Sequence, residues 1–229
     1  ENIFSPKRLT SRDVPIYCRR FKKAGAGYCP LNQVFSPASD DHSSDTPETY
    51  WTADTMTDRD LRYWLALKFT EGVGNLGIRN LLSAFGTAAA VFRAGPRDLK
   101  NVQGIGDRTA KLILSFKDWQ RVDRELDQAA KRKVSIITAK DALYPRHLLN
   151  IYDYPAVLYV RGTLRQDDVN IAVVGSRRAS TYGMYTTERL SRELAFQGIT
   201  VVSGLARGID TAAHRGALMA RGRTIAVLG

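Results

Sequence analysis

The chain has 229 residues, enough for one large or two modest domains, and 44% of them are hydrophobic, enough to bury a core. Lys and Arg number 34 against 23 Asp and Glu, a net charge of +11 that favours a polyanionic partner, nucleic acid before membrane. No run of about 18 apolar residues exists, so no membrane-crossing helix is expected, and the first residues lack the apolar core of a secretory signal. Cys18 and Cys29 are too far apart for a zinc half-site and have no second pair, so no structural metal is expected. A reduced, cytoplasmic protein is the expectation.

Residues 1–55 carry no sustained helical or strand period. Seven basic residues fall between Lys7 and Lys23; Ser36–Thr55 then holds Asp40, Asp41, Asp45, Glu48 and Asp54 with no Lys or Arg. Ser, Pro, Asp and Thr dominate this second part, which reads as a low-order tail or linker. Its basic cluster is open to two readings, a nucleic-acid contact or a solvated arm.

Residues 56–130 read as a small all-α domain. Thr57 with Asp60 resembles a helix N-cap followed by a first-turn acid. Leu61, Trp64, Leu65 and Phe69 then share a face. An internal repeat follows: Glu71-Gly72-Val73-Gly74-Asn75 and its helix match Gln103-Gly104-Ile105-Gly106-Asp107 and its helix, offset by 32 residues. Two glycines around one apolar residue make a tight turn, with the middle side chain plugged into the core. The glycine amides then stand at the next helix's N-terminus, where the dipole favours an anion. The pattern resembles the helix-hairpin-helix DNA-binding motif. Gly104, Gly106, Arg108 and Lys111 are therefore a possible second DNA contact, against the plainer reading that Gly-x-Gly only turns a helical bundle. Asp118–Arg132 reads as a charged, solvated connector helix.

Residues 131–229 read as the N-terminal part of a Rossmann-like parallel sheet. Val134–Thr138 and Val157–Val160 are strand-like, separated by a short helix and a Pro-terminated loop; His147 there is expected to pack or cap. Val169–Val174 and Ile199–Val202 are β-branched runs that fit strands buried on both faces. Tyr182–Gln197 between them is helical, giving a βαβ unit. Arg223–Gly229 reads as a third buried strand. Three strands are thin for this class, and the sheet is expected to be truncated.

Ligands of open parallel sheets sit beyond the carboxyl ends of the strands. Those ends carry Gly175-Ser176-Arg177-Arg178 and Ser203-Gly204-Leu205-Ala206-Arg207-Gly208, both small, rich in amides and armed with arginine. That suits phosphate. From Asp167 onward every Lys/Arg position is Arg, whose planar fork grips phosphate bidentately. The candidate phosphate-binding residues are thus Gly175, Ser176, Arg177, Arg178, Ser203, Gly204, Arg207 and Gly208. The first loop is not the dinucleotide fingerprint, because Arg177 and Ser180 stand where its second and third glycines belong, and no phosphate-cradling Gly-x-x-x-x-Gly-Lys-Ser/Thr occurs. No cofactor is expected. Asp210 is placed to cap the helix that follows, whose Ala212, Ala213, Gly216, Ala217 and Ala220 suit close packing on a sheet. His214 lies four residues on, within reach of Asp210. Neither Ser176 nor Ser203 lies in a nucleophile elbow, so a structural or orienting role is expected for this pair and no catalytic residue is assigned.

Ile171–Arg177 with Tyr182-Gly183, Val201–Asp210, Ala212-Ala213-His214 with Gly216-Ala217-Leu218, and Thr224–Gly229 resemble the DNA-processing protein A (DprA/Smf) family. Tyr144-Pro145 with Leu148, and Pro155–Gly162, match as well. The resemblance implies a SAM-like or helix-hairpin-helix domain followed by an extended Rossmann-like domain. It also implies a protein that binds single-stranded DNA without cutting it, protects incoming DNA in natural transformation, loads the recombinase RecA and forms homodimers. Gly175, Ser176 and Arg177 would match the family's DNA-phosphate loop, and Ser203, Gly204, Arg207 and Gly208 its second loop. The competing class is a Rossmann-type nucleotide-processing enzyme, such as a phosphoribohydrolase; its Pro-Gly-Gly-x-Gly-Thr loop is not in this sequence.

Overall fold

The computed structural model describes residues 58–228 and, in backbone only, Ile16–Cys18. The expectations for the remainder of residues 1–57, including Cys29 and the Thr57 cap, lie outside the described residues. The chain divides into two compact units, Ser44–Leu158 and Tyr159–Gly229 together with Glu1–Ser43.

The first unit is helical: α1 (Asp58–Phe69), α2 (Asn75–Phe85), α3 (Ala88–Val91), α4 (Pro96–Lys100), α5 (Asp107–Leu114) and α6 (Trp119–Lys131). α1 is its centre. Trp64, Leu65, Ala66 and Leu67 are all buried, more than the single face that the spacing predicts, and α2, α3 and α6 pack around it. The repeat is reproduced in backbone detail. Gly72 and Gly104 take φ of 82° and 84°, a region that disfavours side chains. Val73 and Ile105 are buried between the glycines, and Gly74 and Gly106 are the N-caps of α2 and α5. The two hairpins also touch: a Cβ on Gly77 would meet Ile105 Cδ1 at 3.5 Å, and one on Gly72 would meet Thr109 Oγ1 at 3.0 Å.

α6 is not a solvated connector. Val122 and Ala129 are buried along one face. At its start Trp119 stands edge-on to Tyr63 and Phe116, with centroids 5.5 and 5.1 Å away. The Arg62 guanidinium lies 5.0 Å over the Trp119 ring and donates to both Asp123 oxygens at 2.7 and 2.8 Å. Apolar residues spaced seven apart were outnumbered by charges, and the charges hid the buried stripe. β2 (Ser135–Thr138) and a 3₁₀ turn, Arg146–Asn150, complete the unit. His147 is exposed and basic in the last turn of that 3₁₀ helix, which leaves capping, and not packing, of the two expected roles.

In the second unit strands run in the order β3 (Val157–Arg161), β1 (Ile16–Cys18), β6 (Thr224–Leu228), β5 (Thr200–Ser203), β4 (Asn170–Ala172). β4, β5, β6 and β1 are mutually parallel, and β3 is antiparallel to β1. β1 falls where no strand period was read. Three residues are too few to show a two-residue period; Ile-Tyr-Cys is held because β3 and β6 flank it. α7 (Thr181–Phe196) and α8 (Ile209–Met219) join the parallel strands. The two helices pack backbone to backbone: a Cβ on Gly216 would lie 2.1 Å from Glu188 O. The small-residue face of α8 is thus used as expected, with Ala212, Ala213 and Ala217 buried.

The expectation of two buried faces holds for β5 and fails for β4. β4 is the edge strand, and Val169 and Val174 beside it are 63% and 70% exposed. Its composition is that of an interior strand, yet among the described residues no strand pairs with its outer side. At the amino ends of the strands Arg223 clamps Asp168 at 2.7 Å and also donates to Thr163 O, while Thr200 Oγ1 donates to the same carboxylate. That knot fixes the sheet's far end. The carboxyl ends are left to the two loops.

Candidate nucleic-acid interface

The first loop leaves β4 and runs to Ser180, whose hydroxyl caps α7 by accepting from Gly183 N–H at 3.1 Å. Within it Ser176 Oγ accepts from Arg178 N–H at 3.0 Å, a local turn that sets the two arginines side by side. The second loop leaves β5 at Ser203 and ends at Gly208, the N-cap of α8. Because β4 and β5 are parallel neighbours, both loops emerge on one rim, and they touch. Ile209 N–H donates to Ser176 O at 3.2 Å. Gly208 has φ of 83°, and a Cβ there would sit 2.2 Å from Ser176 O and about as close to the Arg177 backbone as contact allows, 3.1 Å from its Cα. Only glycine lets the loops close this far. Gly175 serves the same end, since a Cβ would strike Ile209 at 2.8 Å.

The centre of the arrangement is Asp210. Its carboxylate is buried and accepts from Gly175 N–H at 3.4 Å, Gly204 N–H at 3.2 Å and Ala206 N–H at 3.4 Å. The expectation that it caps its own helix is corrected: Gly208 is the N-cap, without a side-chain cap bond, and the Asp210 side chain reaches back to bind both loops. The cause is chain geometry. A second helical residue cannot turn onto its own first amides as easily as onto loop amides that converge on it. Leu205, between two of those amides, is held at φ of 55°, an uncommon conformation for a branched side chain, and packs against Ala226. Thr211 Oγ1 donates to Ala206 O at 2.7 Å and locks the same turn.

This bonding divides the expected site residues into two sets. The Gly175 and Gly204 amides are already taken by Asp210, so these glycines build the loops and offer no amide to a ligand. Ser203 is buried, its hydroxyl donating to Val173 O at 2.7 Å across the two strands; it too is framework. Arg177, Arg178 and Arg207 are exposed and form no ion pair with any described carboxylate. The N–H groups of Arg177, Arg207 and Gly208 have no acceptor among the described residues. Ser176, exposed, spans both sets. Sequence reasoning missed the binding role of Asp210 because its bond to Gly175 crosses 35 residues; a carboxylate set among glycine amides was the available signal.

His214 does not bond Asp210. It is buried, and its Nδ1 lies 2.7 Å from Thr224 Oγ1, whose hydroxyl donates onward to Val201 O. Thr224 therefore accepts from Nδ1–H, and Nε2 is left without a partner among the described residues. Burial pushes the imidazole down to about 4, against a smaller upward pull from the Asp210 charge. A neutral, buried imidazole bonded to a threonine fits packing beneath α8.

The helical hairpins have different electrostatics. Arg108 is paired to Glu71 at 3.1 Å and Lys100 to Asp107. Asp107 is the first residue of α5 and holds its carboxylate at the helix N-terminus; Lys100 keeps it below the usual carboxylate range. Lys111 is exposed. The hairpin geometry is present, yet two of its cations, Arg108 and Lys100, answer to its own acids.

Two apposed amide-rich loops, whose arginines pair with no described carboxylate, stand at the carboxyl rim of a parallel sheet, in a chain that also carries tandem helical hairpins: the class is an α/β protein with a helix-hairpin-helix tandem. The chain is similar to the DprA/Smf family: residues 135–229 match DNA recombination-mediator protein A, and residues 65–116 match the SAM-like helix-hairpin-helix tandem. It is 33% identical to Protein Smf of Synechocystis over 179 residues, 76% of this chain and 45% of that one. It is 40% identical to Protein Smf of Escherichia coli over 127 residues, 55% of this chain and 34% of that one. The X-ray structure of DNA processing protein A from Streptococcus pneumoniae superposes with a TM-score of 0.56 at 29% identity, covering 72% of this chain and 57% of that chain. The chain spans less than half the length of these two curated relatives. The α/β class with a preceding helical tandem agrees with the expected fold.

Proposed function

We propose that this chain binds single-stranded DNA through its backbone phosphates, as part of a DNA-processing protein. The Arg177, Arg178 and Arg207 side chains, with the open amides of Arg177, Arg207 and Gly208 and the Ser176 hydroxyl, grip successive phosphates. Gly175, Gly204 and Ser203 hold the loops in place. One observation carries this reading: three exposed arginines that pair with no described carboxylate stand on two loops that touch at Gly208. A net charge of +11 supports a polyanion over a small acid. The N-termini of α7 and α8 add their dipoles at the same rim.

Binding without chemistry is the part of this reading that separates it from a phosphoribohydrolase. His214 and Asp210, the pair that invites a catalytic role, are each committed to structural bonds. The resemblance to the family extends the proposal: the full protein protects incoming DNA in natural transformation, loads RecA, works as a homodimer and acts in the cytoplasm. The hairpin at Gly104 and Gly106, with Arg108 and Lys111, is a secondary contact at most, given its internal ion pairs.

Fluorescence anisotropy of a labelled single-stranded oligonucleotide in rising salt tests the core of this. Affinity should fall steeply with salt and vary little with sequence. Arg177→Ala should weaken binding to all sequences and flatten the salt slope by about one. An unchanged slope in Arg177→Ala removes that residue from the interface, and turnover of nucleoside monophosphates by the wild-type chain would favour the enzyme instead.

A further inference from the structure

Phosphate contacts alone do not distinguish one strand from two, because a duplex offers more phosphates per unit length. The structure carries a feature beside the loops that can make the distinction. Tyr182 and Tyr185 are 77% and 66% exposed. They lie in the first turns of α7, three residues apart, so their rings share one face. Neither ring contacts another ring or bonds through its hydroxyl among the described residues. Tyr144, by comparison, is buried and its hydroxyl donates to Pro155 O at 2.7 Å.

Their place in the fold is fixed by Gly183 between them. A Cβ on Gly183 would meet Ile209 Cδ1 at 3.7 Å, and the same Ile209 packs on Gly175 and follows Gly208. The first turn of α7 is therefore built onto the junction of the two arginine loops. Only Ala179 and Ser180 separate Arg178 from α7. Two flat, amphipathic rings on the helix that begins three residues after Arg178 match a chain that alternates negative charge with exposed aromatic faces.

We propose that Tyr182 and Tyr185 form a stacking shelf for the nucleobases of a strand whose phosphates lie on the arginine loops, and that this shelf gives the site its preference for single strands. The inference rests on the phosphate-binding reading above. Stacked duplex bases keep their faces to each other; a single strand can lay them on a side chain, and that stacking tolerates any base. The tyrosines therefore act as selectivity residues, with the arginines supplying the bulk of the attraction.

Three probes separate the contributions: an oligothymidylate, an abasic oligomer with the same number of phosphates, and a duplex of matched length, each titrated by anisotropy against the full chain. Wild type should bind the oligothymidylate about tenfold tighter than the abasic oligomer, the size expected for one stacked base. Tyr182→Ala with Tyr185→Ala should erase that tenfold while leaving abasic affinity and salt slope unchanged. Tyr182→Phe with Tyr185→Phe should keep it, since the ring and not the hydroxyl stacks. A bromodeoxyuridine oligomer should crosslink to the peptide holding both tyrosines. Equal, salt-steep binding of base-bearing and abasic strands by wild type sinks the shelf and spares the phosphate site; salt-insensitive or absent binding of every probe sinks both. A preference that survives the alanine pair, or an alanine pair that changes sedimentation but not base preference, shows that the rings face protein and overturns the proposal.

Discussion

The helical hairpins and the loops of the α/β unit use the same physical device. Both hairpins and the second α/β loop set a glycine at the start of a helix, and each supplies basic residues nearby. They differ in what those basic residues face. In the hairpins Arg108 answers Glu71 and Lys100 answers Asp107; along α1, Arg62 answers Asp123. On the α/β loops Arg177, Arg178 and Arg207 answer no described carboxylate, and the one acid among them, Asp210, is turned to backbone amides. A helix N-terminus with a satisfied first turn is a structural joint. One that leaves arginines unpaired is open to an external anion. The difference lies in side-chain pairing, which no motif spells out.

The largest effect should come from closing off the contact between the loops. Gly208→Val places a branched side chain at φ of 83° and against Ser176 O, where even a Cβ would be at 2.2 Å. Positive φ and overlap together should cost about 3 kcal/mol or more. Urea unfolding should register the loss, and DNA binding should fall below detection. The matching change in the hairpin, Gly106→Ala, meets no atom within 4 Å and has extended φ, so stability should change by less than about 1 kcal/mol. Similar losses from both would erase the contrast between joint and site.

Acid should come next, because His214 titrates low. The imidazole is neutral in the fold down to about 4, while an unfolded chain protonates it near 6.5. Between those values the unfolded state binds more protons, so stability rises with pH there. The contribution is whole above 6.5 and is lost as pH falls through about 4. Its full size is about 3 kcal/mol by the usual conversion. Urea unfolding at pH 7, 5.5 and 4 should show this loss, and His214→Asn should remove most of the pH dependence. A wild-type stability that is flat across this range would mean the imidazole is solvated, and the packing assigned to it beneath α8 would be wrong.

Much of the fold can be read in the sequence, for reasons visible in particular residues. Val201-Val202 followed by Ser203-Gly204 is a β-branched run ending in a turn, and it is strand β5. The repeat of Gly-x-Gly at Gly72 and Gly104 is reproduced in φ. What was not legible depends on partners distant in sequence. β1 is a strand only because β3 and β6 flank it. β4 has an interior composition and an edge position. Val122 and Ala129 are a buried stripe hidden among charges. At the site, the arginines on loops were legible from local composition, whereas the bonds of Asp210 to Gly175 and of His214 to Thr224 were not, because local spacing points each side chain to a nearer partner.

The smallest expected effect tests the comparison most directly. Arg108→Ala removes a basic residue from a helix that follows a Gly-x-Gly turn, as Arg207→Ala does one residue before Gly208. Counterion release treats both as lost charges only if both touch phosphate. Arg207→Ala should weaken single-strand binding about tenfold in low salt and lower the salt slope by about one. Arg108→Ala removes a charge that Glu71 already neutralises, so the slope should stay within error and affinity should move by less than about twofold, the scale of a surface ion pair. Adding Glu71→Ala to an intact Arg108 releases that guanidinium. If the hairpin is a phosphate site held shut by its own acid, this variant should raise the slope toward one more phosphate. If the hairpin is a joint, the released arginine should leave binding where it was, and the self-pairing seen at Arg108 is then a consequence of the hairpin's structural role and not a mask over a second interface.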